Sequence, residues 1–217
     1  VDLATEFDVS RGVARETIRA MEERGLITVK HGKGATINEF SEWDVFDADV
    51  LAATLDTERG GEVLADYLEC RRLLEVEAAG LAAERATRAD VARISDAFAR
   101  MEGTTTRPAS QAAEERFHEA DVAFHQALIN ATGNRALAQL VERLHSVLVL
   151  ARHPLARPRY RQERALPEHR RILEAVAAGD PDAAQRAMSD HLDTIAGYLG
   201  EYRRKPRRRR GQRVARS

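Results

Sequence analysis

Cysteine, aromatic residues and long apolar runs are scarce in this 217-residue sequence. The single cysteine, Cys70, excludes an internal disulfide bond and a cysteine-based zinc site. Aromatic residues make up only 5% of the chain, and alanine, leucine, arginine and glutamate dominate, which is typical of an all-helical protein. No apolar run approaches the ~18 residues of a membrane-spanning helix, and no signal-peptide pattern is present. We therefore expect a cytoplasmic protein with no membrane partner.

Acidic and basic residues nearly balance, with a formal net charge of −1, but they are unevenly distributed. Nine basic residues and no acidic one follow Tyr202, which leaves the rest of the chain net acidic. Such a tail is typical of a disordered segment that attaches to phosphates, and it is equally typical of a solubilising end. Both interpretations predict a disordered tail over residues 204–217.

The N-terminal residues predict a short helix, a tight turn, a second helix and a hairpin in succession. Ser10 has the chemistry of an N-cap for the second helix, and Gly25 is expected to end it. Two strands are predicted at residues 26–30 and 35–37, joined by a glycine-containing tip. This order of elements is that of a winged helix-turn-helix, whose second helix enters the major groove of DNA. We expect this domain to span residues 1–39.

One side of the second helix is basic. Arg11, Arg15 and Arg19 recur every four residues and therefore share one helical face. Guanidinium groups can pair with guanine and with phosphate, which favours a DNA-binding role for this face. An amphipathic helix with a solvated arginine face, followed by an unrelated hairpin, is the alternative interpretation. The order and spacing of the elements favour DNA binding over that alternative.

Residues 9–19 and 23–27 resemble the DNA-binding head of the GntR family of transcriptional regulators, which shows Val-Ser-Arg, Val-Arg-Glu and Glu-Gly-Leu in the same order. Ala14 stands where the family usually has valine. The family's first helix, and the arginine before the second, have no counterpart, so we expect a truncated head whose first helix is missing. The resemblance implies that the DNA-facing residues are Ser10, Arg11, Arg15, Thr17 and Arg19 in the second helix and His31, Gly32 and Lys33 at the wing tip.

Beyond the head, an acidic and aromatic linker is predicted over residues 40–60. Over residues 61–203 the apolar spacing is helical and no convincing strand is indicated. The predicted helices span residues 62–86, 88–102, 110–131, 134–152, 159–178 and 181–203. The fold class is therefore mainly α, with an N-terminal winged helix-turn-helix followed by an all-α bundle of six to seven helices.

Four side chains with metal-ligating chemistry fall within this helical part. Asp121 and His125 are four residues apart, which places both on one helical face beside apolar neighbours. His169 and His191 fall in two later helices. A carboxylate and three imidazoles inside a bundle suit zinc, nickel, manganese or iron. His118 lies on the same stripe, so spacing alone does not exclude it, and each histidine taken singly is also explained as a core or surface residue.

The helical part resembles the all-α FCD ligand-binding domain of the FadR-like branch of GntR regulators. The matching segments are residues 69–75, 79–83, 121–125, 131–134, 168–173 and 188–192. Metal-binding members of that branch use one aspartate and three histidines, so the resemblance favours Asp121 and His125 over His118. The implied metal ligands are Asp121, His125, His169 and His191, with zinc as the expected divalent ion and nickel, manganese or iron as alternatives.

A small carboxylate effector is implied by the same resemblance. In this branch, the coordination positions left open by the protein are filled by water or by a small organic acid. A guanidinium group can bind the same carboxylate through two hydrogen bonds, and the candidates are Arg71 and Arg152. For each of them the sequence favours the alternative of a surface or ion-paired arginine. The linker from Trp43 to Leu51 resembles that of regulators of sugar-acid and hydroxy-acid catabolism, which favours that class of effector.

The resulting hypothesis is a DNA-binding transcriptional regulator, expected to act as a repressor. A homodimer would bind double-stranded operator DNA, and a metal-bound carboxylate effector would control that binding. One alternative is a regulator for which the metal itself is the signal, and another is a metal-dependent hydrolase with a helical-bundle fold. The hydrolase is disfavoured because the sequence offers no general base beyond the metal ligands and no second metal cluster. We therefore expect no enzymatic activity.

Overall fold

The computed structural model describes residues 3–30, 32–55, 57–104, 110–152 and 158–204, with the backbone alone at 147–152, 158–163 and 198–204. The chain divides into two compact units, Val1–Gly60 and Gly61–Ser217. The first contains α1 (Leu3–Glu6), α2 (Arg11–Glu23), β1 (Ile27–Lys30), β2 (Gly34–Ile37) and α3 (Ala48–Leu55). A long helix begins at their boundary, and the helices from there on are α4 (Gly60–Arg85), α5 (Arg88–Gly103), α6 (Gln111–Ala131), α7 (Arg135–Arg152), α8 (Pro158–Ala178) and α9 (Pro181–Arg204). The predicted fold class, mainly α, is confirmed.

The second helix of the N-terminal unit, α2, begins and ends where the sequence predicts. Ser10 has extended backbone angles, and its hydroxyl oxygen accepts a hydrogen bond from the Val13 amide at 3.2 Å, which makes it an N-cap. Gly25 follows the helix with a φ of +71°. A Cβ at that position would lie 2.1 Å from the carbonyl oxygen of Glu42, so a larger residue would displace the backbone there.

The wing is a two-stranded antiparallel hairpin. Ile27 on β1 lies opposite Ile37 on β2, and Lys30 lies opposite Gly34 at the tip end. Gly34 has a φ of +86°, a left-handed conformation that favours glycine and allows the tight return of the chain. The predicted tip residue His31 lies outside the described residues. Of the tail predicted at residues 204–217, Arg204 is the last residue of α9, and residues 205–217 lie outside the described residues.

The segment for which we predict a linker is tied to the N-terminal unit and contains a helix, α3, that the sequence analysis does not predict. Arg24, just after α2, donates through Nε to Asp47 Oδ2 at 2.8 Å. Trp43 donates through Nε1 to the Asn38 carbonyl oxygen at 3.2 Å. Asp47 Oδ1 also accepts from the Val50 amide at 3.1 Å, which caps the first turn of α3. One carboxylate therefore joins the end of α2 to the start of α3.

The helices of the second unit surround one hydrophobic core. Packing occurs between α5 and α6, α5 and α8, α6 and α7, and α8 and α9. The turns after α6 and α8 contain Gly133 and Gly179, with φ values of +69° and +68° that suit glycine at a helix end. Phe124 of α6, Ile172 of α8 and Met188 of α9 are fully buried members of this core. None of the helices among the described residues combines the length and apolar content that crossing a membrane would need.

Candidate metal centre and DNA-facing helix

Four of the residues that the sequence singles out converge inside the helical unit. Asp121 and His125 lie one turn apart on α6, His169 lies on α8 and His191 on α9. Each of the four is at most 2% exposed, and their candidate ligand atoms all lie within 4.8 Å of one another. Within the described part of the chain, His118 is not a member of this group. We call these four residues the Asp/His cluster.

The Nε2 atoms of His125 and His169 and one carboxylate oxygen of Asp121 lie close together in the Asp/His cluster. Asp121 Oδ1 lies 3.0 Å from His169 Nε2 and 4.0 Å from His125 Nε2. The Nε2 atoms of His125 and His169 are 3.3 Å apart. The ring of His191 lies beside that of His169, with 4.4 Å between their centroids. Side chains from three helices therefore direct their ligand atoms at a common volume.

Each imidazole of the cluster has an acceptor at its other nitrogen, Nδ1. His169 Nδ1 donates to the Ala165 carbonyl oxygen at 2.7 Å, and His191 Nδ1 donates to Glu168 Oε2 at 3.0 Å. His125 Nδ1 lies 2.7 Å from Glu75 Oε2, a short contact that is not a well-aligned hydrogen bond. Because carbonyl and carboxylate oxygens only accept, these contacts favour a proton on Nδ1 and a lone pair on Nε2 of each ring.

The donor set of the Asp/His cluster fits a metal cation. With Nδ1 protonated, three Nε2 lone pairs and a carboxylate oxygen of Asp121 face one another, and none of these four atoms supplies a proton to the others. The Nε2 atom of His191 is buried and has no hydrogen-bond partner among the described residues. A buried polar atom without a partner is costly, and a cation that accepts all four electron pairs would satisfy the whole set.

Burial keeps two of the cluster's imidazoles neutral. Burial lowers the pKa of His125 to about 4, against the opposing attraction of the Glu75 carboxylate. The pKa of His191 is lowered to about 3, chiefly by burial and then by the neighbouring His169 ring. A neutral imidazole is the form that ligates a metal, so at neutral pH neither ring needs to lose a charge before binding.

Behind His125 lies a buried group of polar side chains, two of which, Glu75 and His145, the sequence analysis does not identify as site residues. Glu75 accepts from Arg71 Nε at 2.5 Å and from Arg71 Nη2 at 3.1 Å. Its Oε1 atom also lies 2.9 Å from His145 Nε2. Burial alone would raise the pKa of Glu75, but Arg71 and the two nearby histidines hold that pKa well below its usual value. Glu75 is therefore a buried carboxylate anion shared by three partners.

Of the two predicted effector-binding arginines, the structure describes the side chain of Arg71 but not that of Arg152. Arg71 is 1% exposed and is paired with Glu75 through two of its nitrogens. An anionic effector at Arg71 would therefore share this guanidinium with a carboxylate that is already in place. Arg152 is the last residue of α7, and its side chain lies outside the described residues.

The residues predicted to face DNA, apart from His31, which the structure does not describe, are on the surface of the N-terminal unit. The members of this set on α2 and at its cap are all exposed: Ser10, Arg11, Arg15, Thr17 and Arg19. Arg19 Nε pairs with Glu23 Oε1 at 3.0 Å, and Arg15 Nε lies 3.4 Å from the Arg11 carbonyl oxygen. Gly32 and Lys33 are exposed in the turn between the two strands. This arrangement presents a basic helix face and a slender tip to solvent.

Comparisons with known proteins agree with the fold. The model of the FCD domain matches residues 66–194. The HTH-type transcriptional regulator LutR of Bacillus subtilis (strain 168) is 36% identical over 208 residues, covering 92% of this chain and 90% of that protein. The Galactonate operon transcriptional repressor of Escherichia coli (strain K12) is 32% identical over 204 residues, covering 92% of this chain and 85% of the repressor.

A solved structure supports the same assignment. Streptococcus agalactiae GntR matches with a TM-score of 0.55 and 26% sequence identity, covering 89% of this chain and 85% of that chain. The FCD match spans the segment that contains the whole Asp/His cluster. The relatives are named as transcriptional regulators. Their names confirm the expectation that this chain is a regulator and not an enzyme. The chain belongs to the GntR family of DNA-binding transcriptional regulators and carries an FCD domain.

Proposed function

We propose that this regulator is a repressor whose helical unit binds one divalent metal ion together with a small organic acid, and that this binding controls the affinity of the N-terminal head for operator DNA. The observation that carries the proposal is the convergence of four buried electron-pair donors within 4.8 Å. The ligands would be Asp121, His125, His169 and His191, and zinc is the expected ion because it readily accepts imidazole and carboxylate donors. Nickel, manganese and iron are the alternatives.

A carboxylate is the effector chemistry that suits such a site. The ion supplies a fixed positive charge to which an acid group can bind. Zinc held by four protein ligands would take the acid by expanding to five-coordination, and an octahedral nickel or manganese ion would keep two positions open for it. Arg71 and Arg152 are the candidate residues for a second contact with the acid. A relative at 32% identity is a repressor of a galactonate operon, and galactonate is a hydroxylated carboxylate, which supports a sugar acid or hydroxycarboxylate as the effector here.

The DNA-binding surface would be the exposed side of α2 with the wing tip. Arg11, Arg15 and Arg19 would contact bases and phosphates, as guanidinium groups do in the major groove. Ser10 and Thr17 would bind phosphate, and the wing tip residues His31, Gly32 and Lys33 would reach the neighbouring backbone or minor groove. A homodimer would place two heads on a palindromic operator, with the half-site spacing set by the dimer.

The experiment compares two histidines of the same helix in the full chain. His125→Ala removes a ligand from the Asp/His cluster, whereas His118→Ala removes an imidazole outside it. We expect zinc affinity to fall about 100-fold or more for His125→Ala, since a four-ligand structural site is worth roughly 10–16 kcal/mol or about 3 kcal/mol per ligand. His118→Ala should retain the affinity of the wild type. Equal zinc affinity for all three proteins would refute the metal site.

Operator binding tests the regulatory half of the proposal. A duplex selected by the wild-type chain from a random-sequence pool serves as the probe, and its affinity is measured with chelator, with zinc, and with zinc plus a panel of hydroxycarboxylates. The proposal expects a change that requires both zinc and an acid. A change caused by zinc alone would instead identify the metal as the signal.

A further inference from the structure

The three imidazoles of the Asp/His cluster are held from behind by three different acceptors. His169 faces a backbone carbonyl within its own helix, whereas His125 and His191 face side-chain carboxylates from elsewhere in the fold. Glu75, behind His125, is fully buried and is also bound by Arg71 and His145. Glu168, behind His191, lies on α8 immediately before a cluster residue and is partly exposed.

The carboxylate of Glu168 is fixed at both of its oxygens. Oε2 accepts from His191 Nδ1 at 3.0 Å, and Oε1 accepts from the Thr194 hydroxyl at 2.8 Å. His191 and Thr194 are one turn apart on α9, so the carboxylate bridges α8 to one face of that helix. An acceptor held in this way determines both the position of the proton on His191 and the orientation of its ring.

The consequence appears at the opposite nitrogen of the same ring. His191 Nε2 is buried and has no hydrogen-bond partner among the described residues. It is the ring nitrogen left for a metal, because Nδ1 is bound to Glu168 and the residue offers one ligand atom to the cluster. If the proton moved from Nδ1 to Nε2, this ring would present N–H to the centre of the cluster instead of a lone pair. Acceptors behind metal-ligating histidines are known to prevent this, and their loss typically weakens metal affinity by about 10- to 100-fold.

We propose that Glu168 is a positioning residue for the metal, holding His191 with its Nε2 lone pair directed at the ion, and that Thr194 holds Glu168 in turn. This inference rests on the proposed metal site. Glu75 has a similar relation to His125, but Glu168 offers the cleaner test. Removing Glu75 would also leave the buried Arg71 without its partner, whereas Glu168 has no arginine bound to it among the described residues.

The test measures zinc affinity of the full chain at neutral pH by competition with a chromogenic chelator. Glu168→Ala removes the acceptor, and we expect its zinc affinity to fall about 10- to 100-fold. Glu168→Gln keeps an amide oxygen that can accept from Nδ1, so a smaller loss is expected. Thr194→Val leaves the carboxylate but frees one oxygen, and it should also cause a smaller loss. Glu174→Ala, an exposed glutamate of the same helix, is the matched control and should bind as the wild type does.

A second readout separates positioning from a general structural role. Nitrogen-15 NMR of the histidine rings in chelator-treated protein reports which ring nitrogen carries the proton. We expect His191 to carry it on Nδ1 in the wild type and to lose that preference in Glu168→Ala. Thermal unfolding of each metal-free variant establishes that it is folded, and if Glu168→Ala is not, Glu168→Gln and Thr194→Val carry the test.

The possible outcomes are distinguishable. A wild-type chain that binds no zinc overturns the proposed metal site and this inference with it. A wild type that binds zinc tightly while folded Glu168→Ala binds equally well overturns only the role of Glu168. A weakened Glu168→Ala in which His191 keeps its proton on Nδ1 also overturns the positioning role. Weaker binding together with a changed tautomer supports it.

Discussion

The same ion pair occurs in both units of the molecule in opposite surroundings. Arg19 and Glu23 on α2, and Arg71 and Glu75 on α4, have the same residue types in the same order and the same four-residue spacing. In the first pair the side chains are 71% and 65% exposed, and in the second they are 1% and 0% exposed. The helical geometry that creates each pair is identical, so their different consequences come from the surroundings alone.

Water determines what each pair contributes. An exposed i,i+4 pair is worth about 0.3–0.5 kcal/mol because water and salt screen it. Arg19 can therefore exchange Glu23 for a DNA phosphate at little cost. A buried pair costs several kcal/mol of desolvation, and losing one partner leaves an uncompensated charge. Arg71 is consequently held in place, and Glu75 remains an anion beside His125 and His145.

The largest effect is expected from breaking the buried pair. Glu75→Ala leaves Arg71 buried without its counter-ion and removes the carboxylate that binds His145 and contacts His125, so we expect a loss of about 3–5 kcal/mol in the free energy of unfolding. Urea unfolding followed by circular dichroism, with chelator present, measures it without a contribution from metal. Glu77→Ala, an exposed glutamate two residues further along α4, should change stability by less than about 0.5 kcal/mol. Similar losses in the free energy of unfolding for Glu75→Ala and Glu77→Ala would show that burial does not make the Arg71–Glu75 pair costly to break.

A second prediction concerns acid, and it follows from the cluster beside the buried pair. His125 and His191 have folded-state pKa values of about 4 and about 3, below the ordinary value of 6.5. Between pH 6.5 and the folded-state pKa of each ring, the unfolded chain binds a proton that the folded chain does not. The free energy of unfolding therefore falls as the pH falls. We expect the metal-free protein to lose about 2 kcal/mol for each of the two histidines between pH 7 and pH 5.

Urea unfolding at several pH values with chelator present measures this dependence. The doubly substituted His125→Phe, His191→Phe chain is the control, since it lacks the two groups that titrate only when unfolded, and its slope between pH 7 and pH 5 should be much shallower. A wild-type stability that is constant over this range would show that the two rings are not held neutral by burial.

The sequence predicted local features well because their causes are local. The helix predicted at residues 181–203 is observed as Pro181–Arg204, since glycine, aspartate and proline mark its start directly. The helix α3 was missed because it is short and its cap, Asp47, is oriented by Arg24 from a distant part of the chain. Caps of this kind are visible only once the two segments are in contact.

The same distinction applies to the candidate site. Asp121 and His125 could be paired from the sequence because helical spacing alone places them together. Glu75 and His145 could not, because they are 70 residues apart and meet only through packing. Glu168 adjoins a predicted ligand in sequence, but its partner is His191 on the next helix, not its neighbour. Contacts that depend on tertiary structure were therefore the ones that sequence analysis missed.

The smallest effect on stability, with a measurable effect on binding, is expected from the exposed pair. Glu23→Gln removes a negative charge from the side of α2 proposed to face DNA and releases Arg19 to contact phosphate. Operator affinity should rise by about 2- to 10-fold at low salt and less at high salt, because the gain is electrostatic. The unfolding free energy should change by no more than about 0.5 kcal/mol.

Glu102→Gln is the matched control, since Glu102 pairs with Arg170 on the surface of the helical unit. It removes the same charge far from the proposed DNA face in sequence and should leave operator affinity unchanged. Fluorescence anisotropy with the selected duplex at two salt concentrations compares the variants. If Glu23→Gln weakened binding, the pair would be needed to orient Arg19 toward DNA, and the exposed pair would be as functionally fixed as the buried one.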